Sequence, residues 1–167
     1  MNGPDNIGNR LSSIYDEVMW LASRENVTPA MARAWYTHVH AEKVKKCIRR
    51  FSGKVSTCAV NDLDGPLRLE HFCRIQTTLT KLVKSHKENG RHSPEEFVKC
   101  VLACERVHIV TLKENYSIMS AKGDYALAGV SLVPWKRIPT ERQKTLWQRM
   151  LRGRVSNAVK YKLNLTS

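Results

Sequence analysis

Residues 93–114 read SPEEFVKCVLACERVHIVTLKE, and the way this stretch is divided decides the fold. Ser93, Pro94 and Glu96 carry the signals of a helix start. The serine offers a capping hydroxyl, the proline lacks an N–H that the first turn would leave unpaired, and the glutamate sits where it can reach back to the cap. Phe97, Val101, Cys104 and His108 then recur at spacings of three and four, the apolar stripe of a helix laid on a core. Thr111 and Glu114 repeat the capping logic, which predicts another helix to about residue 121. Read this way, the segment is two helices in succession with no strand between them.

The same period governs the chain on either side. Leu11, Ile14, Tyr15, Val18 and Leu21 predict a helix over about 9–24. Thr28 followed by Pro29 marks the start of a second, expected to reach Phe51 with Ala34, His38, Ala41, Val44 and Ile48 facing inward. Leu69, Phe72, Ile75, Leu79, Leu82 and Val83 form one face of a third, which ends at Asn89-Gly90. Thr140 and Gln143 open a last helix that turns Leu146, Trp147, Met150, Leu151 and Val155 inward. Residues 54–66 are less regular: 54–60 read as a short strand or extended link, and Asp62–Pro66 as a turn. Residues 130–135 are an apolar run ending at a proline, read as an extended link and not as part of a sheet. The expectation is a mainly α chain, one domain over 1–167, built as a bundle of five or six helices.

Composition narrows the class. A hydrophobic fraction of 42% and a charged fraction of 26% are those of a globular chain, not a disordered one. No apolar run approaches the roughly 20 residues of a membrane-spanning helix, so no membrane partner is expected. The first residues carry Asp5 and a single base, Arg10, with no long apolar stretch behind them, unlike a secretory signal. The expected location is therefore intracellular: cytoplasm, or nucleus in a eukaryotic host. Five cysteines, an odd number, then read as reduced thiols. The glycosylation-type triplets at Asn26, Asn115 and Asn164 read as chance.

Charge is the strongest global feature: 28 Lys and Arg against 15 Asp and Glu, a net +13. Its distribution is uneven. Residues 33–54 carry +6 and residues 133–167 carry +8, while 1–32 carry −2 and 55–132 only +1. In the first basic segment Lys43, Lys45, Lys46, Arg49 and Arg50 occupy the outward arc of the expected second helix. In the last they are Lys136, Arg137, Arg142, Lys144, Arg149, Arg152, Arg154, Lys160 and Lys162. A charged helix face is often simply solvated. Two segments holding 16 bases against 2 acids fit a polyanion better, because each phosphate neutralised releases condensed counterions and arginine grips phosphate with two parallel bonds. Trp35, Tyr36, Trp135 and Tyr161 lie near these bases and could stack on unpaired bases of a nucleic acid. Trp35 and Trp147 sit on apolar faces and read as core.

Three constellations could carry chemistry. Cys100, Cys104 and His108 share a helical face at four-residue spacing, as zinc ligands or as small hydrophobes in a core; His71, Cys73 or Cys58 would supply a fourth ligand. His71, Asn89 and His92 resemble in outline the order of residues in His-Asn-His nucleases, in which one histidine activates water and others help hold a divalent ion. The resemblance covers those three residues alone, and it implies metal-dependent cleavage of nucleic acid. Asp62 and Asp64 form a carboxylate pair, as for magnesium, in a context that equally suits a turn. Gly-rich phosphate loops, nucleophile elbows, dinucleotide fingerprints and Cys-x-x-Cys pairs are absent from the sequence.

The reading that follows is a small basic accessory protein that binds DNA or RNA without catalysis: a regulator, chaperone or packaging factor of the kind viruses and mobile elements carry, with no cofactor. Two alternatives stand beside it. One is a metal-dependent nuclease of His-Asn-His type; the other is an adaptor that docks on an acidic protein partner.

Overall fold

The helix that begins at Pro94 stops at Cys104, and Arg106–Thr111 is a β-strand. This is the main departure from the expected bundle. Glu105 closes the helix, its N–H bonded to the Val101 carbonyl at 3.0 Å, and the β-branched residues Val107, Ile109, Val110 and Thr111 follow. Such residues fit a pleated surface better than a helix. The chain is helix-rich but not a pure helical bundle, because this strand is an interior member of a four-stranded mixed sheet.

The computed structural model describes residues 4–163. In chain order the elements are α1 (Pro4–Ala22), α2 (Pro29–Trp35), α3 (Ala41–Ile48), β1 (Arg50–Ser56), α4 (Thr57–Asn61), β2 (Leu67–His71), α5 (Ile75–Glu88), α6 (Pro94–Cys104), β3 (Arg106–Thr111), α7 (Leu112–Ser120), β4 (Leu132–Pro134) and α8 (Thr140–Leu146). A π-helical turn, Tyr36–His40, joins α2 to α3, and another, Trp147–Leu151, extends α8. No helix among the described residues is long and apolar enough to cross a membrane. The contacts divide the chain into two compact units: Met1–Ile48 with Cys73–Glu105, and Arg49–Phe72 with Arg106–Ser167.

The first unit is all helix. Its core gathers Leu11, Ile14, Tyr15 and Val18 of α1 with Ala32, Val44, Leu79, Val83, Phe97 and Val101. The expected stripe of α1 is buried from Leu11 to Val18, but between Pro29 and Ile48 the buried positions are Ala32, Tyr36, Val44 and Ile48. His38, expected inward, is exposed, and Tyr36, expected as a ring that could stack on bases, is fully buried. Thr28 caps α2 by accepting the Met31 N–H. Ser93 makes no side-chain cap on α6. Glu96 turns instead to His86 Nε2 at 3.0 Å and to the Arg91 guanidinium, while Tyr15 Oη meets His86 Nδ1 at 2.8 Å and accepts the Ser93 N–H at 3.0 Å. Trp35, expected in the core, is 40% exposed and donates its indole N–H to Glu17.

The second unit is built on the sheet, in the order β2-β3-β1-β4. β1 runs parallel to β3, while β2 on β3 and β4 on β1 are antiparallel. Three stretches expected as helix or link are thus strands. Phe51 lies in β1 and not at the end of a helix; Leu67–His71 is β2 and not the start of the third helix; Leu132–Pro134 pairs with β1 as a short edge ending in a proline, a residue that edges tolerate. Phe51, Val55, Val107 and Ile109 pack with Trp135, Leu146, Met150 and Leu151 in one core. Val110, Ile118 and Val130 form a second, smaller cluster. Thr111 and Glu114 form the expected capping box on α7, and the same Glu114 carboxylate accepts the Ser56 hydroxyl at 2.5 Å.

Candidate nucleic-acid interface

The division into units also divides the charge. The helical unit holds 12 Lys and Arg against 9 Asp and Glu, a net +3; the sheet unit holds 16 against 6, a net +10. Most of the excess therefore belongs to one folded body. The first basic segment is cut in two at its boundary. Lys43 and Lys46 are exposed on α3, and Lys45 is ion-paired with Glu42. The helix ends at Ile48, so Arg49 and Arg50 leave it and enter the sheet unit, Arg50 as the first residue of β1.

There they meet the C-terminal segment. The Arg49 carbonyl accepts both the N–H of Ser156, at 2.8 Å, and its hydroxyl, at 3.0 Å. One residue on, Asn157 accepts the Phe51 N–H and donates to the Phe51 carbonyl, both at 2.9 Å. Arg152 and Arg154 flank Gly153, whose φ of +69° makes the turn that ends the π-helical extension of α8. Arg50 and Arg106 are register partners on neighbouring parallel strands and both are exposed. Like charges so placed repel one another unless an anion lies between them. Burial pushes the Tyr161 phenol up, and the positive charge of Arg106 partly offsets this. Lys160 lies 5.9 Å from the Tyr161 ring centre. Among the described residues Arg50, Arg106, Arg152, Arg154 and Lys160 form no ion pair with a carboxylate.

Other expected members of the site are engaged elsewhere. Arg142 is 6% exposed and donates to the carbonyls of Ala59 at 2.6 Å, Asp62 at 2.5 Å and Leu63 at 3.4 Å. Arg149 donates to the carbonyls of Leu63 at 2.7 Å and Gly65 at 2.9 Å. Both arginines are structural, tying the end of α4 and the turn at 62–65 to α8 and its extension. Sequence position could not separate them from their neighbours, because only burial does. Lys144 is held by Glu141 at 2.6 Å. Lys136 and Arg137 are exposed on a 3-10 turn, Trp135–Arg137. Trp135 itself is buried against Phe51 and Tyr161 and is not a stacking platform. The residues that sequence reading misses are Arg106, which helical spacing absorbs into α6, and Lys54. Lys54 follows Gly53 in an irregularity of β1 where the pairing register shifts between Phe51 and Val55. Gly53 has φ +82° there, and a side chain would meet the Tyr161 hydroxyl at 3.1 Å.

That irregularity turns Ser52 onto a second polar cluster. Ser52 Oγ and His108 Nδ1 share a hydrogen bond of 2.5 Å. Burial, with the nearby charges of Lys54 and Arg106, pushes the His108 imidazole down to about 4. Its Nε2 and the Tyr125 hydroxyl are buried without a hydrogen-bond partner among the described residues. The zinc stripe is broken: His108 lies on β3, beyond the helix that carries Cys100 and Cys104. The residues resembling a His-Asn-His set each have other engagements. His71 ends β2, not a helix, and meets Arg49; Asn89 donates to the Ser85 carbonyl; His92 pairs with Asp16 at 2.9 Å. Asp62 accepts the Gly65 N–H and shapes its turn. Among the described residues no group of three or more His, Cys, Asp or Glu side chains could hold a metal ion. Asn115, in a glycosylation-type triplet, donates to Glu70, and Asn164 lies outside the described residues.

No protein-family model, curated protein or solved structure matches the chain.

Proposed function

We propose that the sheet unit binds nucleic acid through its phosphate backbone, as a non-catalytic accessory protein. The observation that carries this reading is the clasp of Ser156 and Asn157 on Arg49 and Phe51. It joins the main chain on either side of Arg50, in one basic segment, to the residues that follow Arg152 and Arg154 in the other, more than a hundred residues away in sequence. Arg106, the register partner of Arg50, and Lys160 are exposed in the same unit, whose acids number only 6. Arginine suits this work because its fork binds phosphate oxygens in pairs. Contacts to the backbone alone give affinity without sequence choice, so the expected binding is general and steeply dependent on salt.

The test is a salt titration of binding to a fluorescent oligonucleotide, duplex and single-stranded. The triple variant Arg50→Gln, Arg106→Gln, Arg154→Gln is compared with the natural chain. Each phosphate contact contributes about 0.9 to the log–log slope for duplex and about 0.7 for single strands, so the variant's slope should be shallower by roughly 2–3 units. Equal slopes remove these arginines from the interface. An acidic protein that stays bound to the chain after nuclease treatment, together with no oligonucleotide binding, favours the adaptor reading instead.

A further inference from the structure

Three of the five thiols meet inside the helical unit. Cys104, fully buried at the end of α6, has its Sγ 3.2 Å from the Sγ of Cys73, which precedes α5. Cys100, one turn before Cys104 on the same helix, is hydrogen-bonded to it. Cys47 and Cys58 are exposed and lie apart on other elements. Buried cysteines packed singly behave as small hydrophobes. Two sulfurs in contact, with a third thiol bonded to one of them, are also an arrangement one step from a disulfide. Cys73 directly follows Phe72, where the chain leaves the sheet unit, and Cys104 lies two residues before Arg106, where it returns.

We infer that Cys73, Cys100 and Cys104 form a modification site for hydroperoxides, whose product is a Cys73–Cys104 disulfide. Cys73, half-buried, takes the oxidant: its sulfur attacks the hydroperoxide, an S–O bond forms, the O–O bond breaks and an alcohol, or water, leaves with the thiol proton. The Cys104 sulfur then attacks the Cys73 sulfur beside it. The S–S bond forms as the S–O bond breaks. The Cys104 proton passes through Cys100 to the departing hydroxide, which leaves as water. In sum, two thiols and one hydroperoxide give one disulfide, one alcohol and one water. The Cys100 thiol is held below its ordinary range by the hydrogen bond from Cys104, so it gives its own proton to the departing hydroxide more readily as the Cys104 proton replaces it. The product closes residues 73–104 into a covalent ring, so that α5 and α6 can no longer separate when the unit unfolds. The gain is largest in the unfolded ensemble, whose freedom the ring restricts.

The experiment uses the reduced full-length chain with hydrogen peroxide as the probe. Remaining thiols are alkylated in denaturant, and the digest is mapped by mass spectrometry. The expected result is a cross-linked peptide pair containing Cys73 and Cys104, removed by dithiothreitol, with a rise in Tm of roughly 5–10 °C for the oxidised chain. Cys73→Ser should lose both the cross-link and the Tm rise. Cys100→Ser should form the cross-link at least threefold more slowly, and an unchanged rate overturns the part given to Cys100. If Cys73 and Cys104 are both recovered alkylated at peroxide levels that oxidise Cys47 or Cys58, the proposal fails on the natural chain. It fails equally if Cys104 is found bonded to any other cysteine.

Discussion

Asn157 holds both main-chain polar groups of Phe51, accepting its N–H and donating to its carbonyl at 2.9 Å each. A carboxamide used in this way replaces a strand: it pairs the start of β1 where β4, which covers only Lys54–Ser56, does not reach. The backbone groups it satisfies are partly buried, so losing them is costly. Asn157→Ala should destabilise the chain by about 2–3 kcal/mol, the penalty of two unmade bonds. Urea denaturation measures this. Because the same clasp ties the segment carrying Arg152 and Arg154 to the start of β1, the proposed interface predicts that the variant also binds oligonucleotide more weakly under conditions where it remains folded. Full binding with the expected loss of stability would separate the clasp from the interface.

Arg142 and Arg154 lie in one basic segment and should respond oppositely. Arg142 is buried on three carbonyls, so Arg142→Gln should cost about 2–4 kcal/mol and leave the salt slope of binding unchanged. Arg154 is exposed, so Arg154→Gln should leave the urea midpoint nearly unmoved and make the slope shallower by about 1. Parallel melts and titrations of the two variants read both quantities. Weaker salt dependence in the Arg142 variant would show that the arginine reaches the ligand after all.

The helices were legible where their period stood alone, and the strands were hidden for identifiable reasons. β3 is buried from Val107 through Thr111 because other strands flank it and side chains cover both faces, so it lacks the alternation that marks a half-exposed strand. Its His108 happens to continue the four-residue spacing of Cys100 and Cys104 in α6. In β2, Leu67 and Leu69 do alternate with Arg68 and Glu70, but Phe72 and Ile75 follow at helical spacing and outweigh so short a run. β4 has three residues. Of the expected interface, Arg152, Arg154 and Lys160 are exposed, as their charge implied, whereas Arg142 and Arg149 are spent on loop carbonyls. Nothing in their local sequence distinguishes these cases, since the difference lies in the end of α4 and the 62–65 turn, far away in the chain.

Glu114 does more than cap α7. Its carboxylate accepts the Thr111 N–H at 2.9 Å, the Thr111 hydroxyl at 3.0 Å and the Ser56 hydroxyl at 2.5 Å, joining the end of β1 to the end of β3. A cap alone is worth about 1 kcal/mol. Glu114→Ala also strands the Ser56 hydroxyl and the Thr111 N–H in buried surroundings, so the expected loss is about 2–4 kcal/mol. Glu114→Gln keeps an acceptor oxygen and should recover part of it. Chemical denaturation of both variants tests the ordering, and a loss no greater than that of a simple cap would mean that the Ser56 bond contributes little.

His108 should make the sheet unit sensitive to acid. It is 4% exposed beneath Phe72 and Tyr125, and it binds its proton only near pH 4, against an ordinary value of 6.5. The folded chain therefore takes up this proton less readily than the unfolded chain. Between these two values the unfolded state holds more protons, and stability rises with pH through that window and is lost as pH falls. The expected loss from this one residue is about 2 kcal/mol by pH 5 and about 3 kcal/mol by pH 4, with little change above pH 7. His108→Phe keeps an aromatic ring between Phe72 and Tyr125 and cannot titrate. It gives up the Ser52 bond, so its stability at pH 7 should fall modestly. The decisive quantity is the difference between urea midpoints at pH 5 and pH 7, which should be clearly smaller in the variant. An equal difference in both chains would place the acid sensitivity in other groups and leave His108 reachable by protons in the folded state.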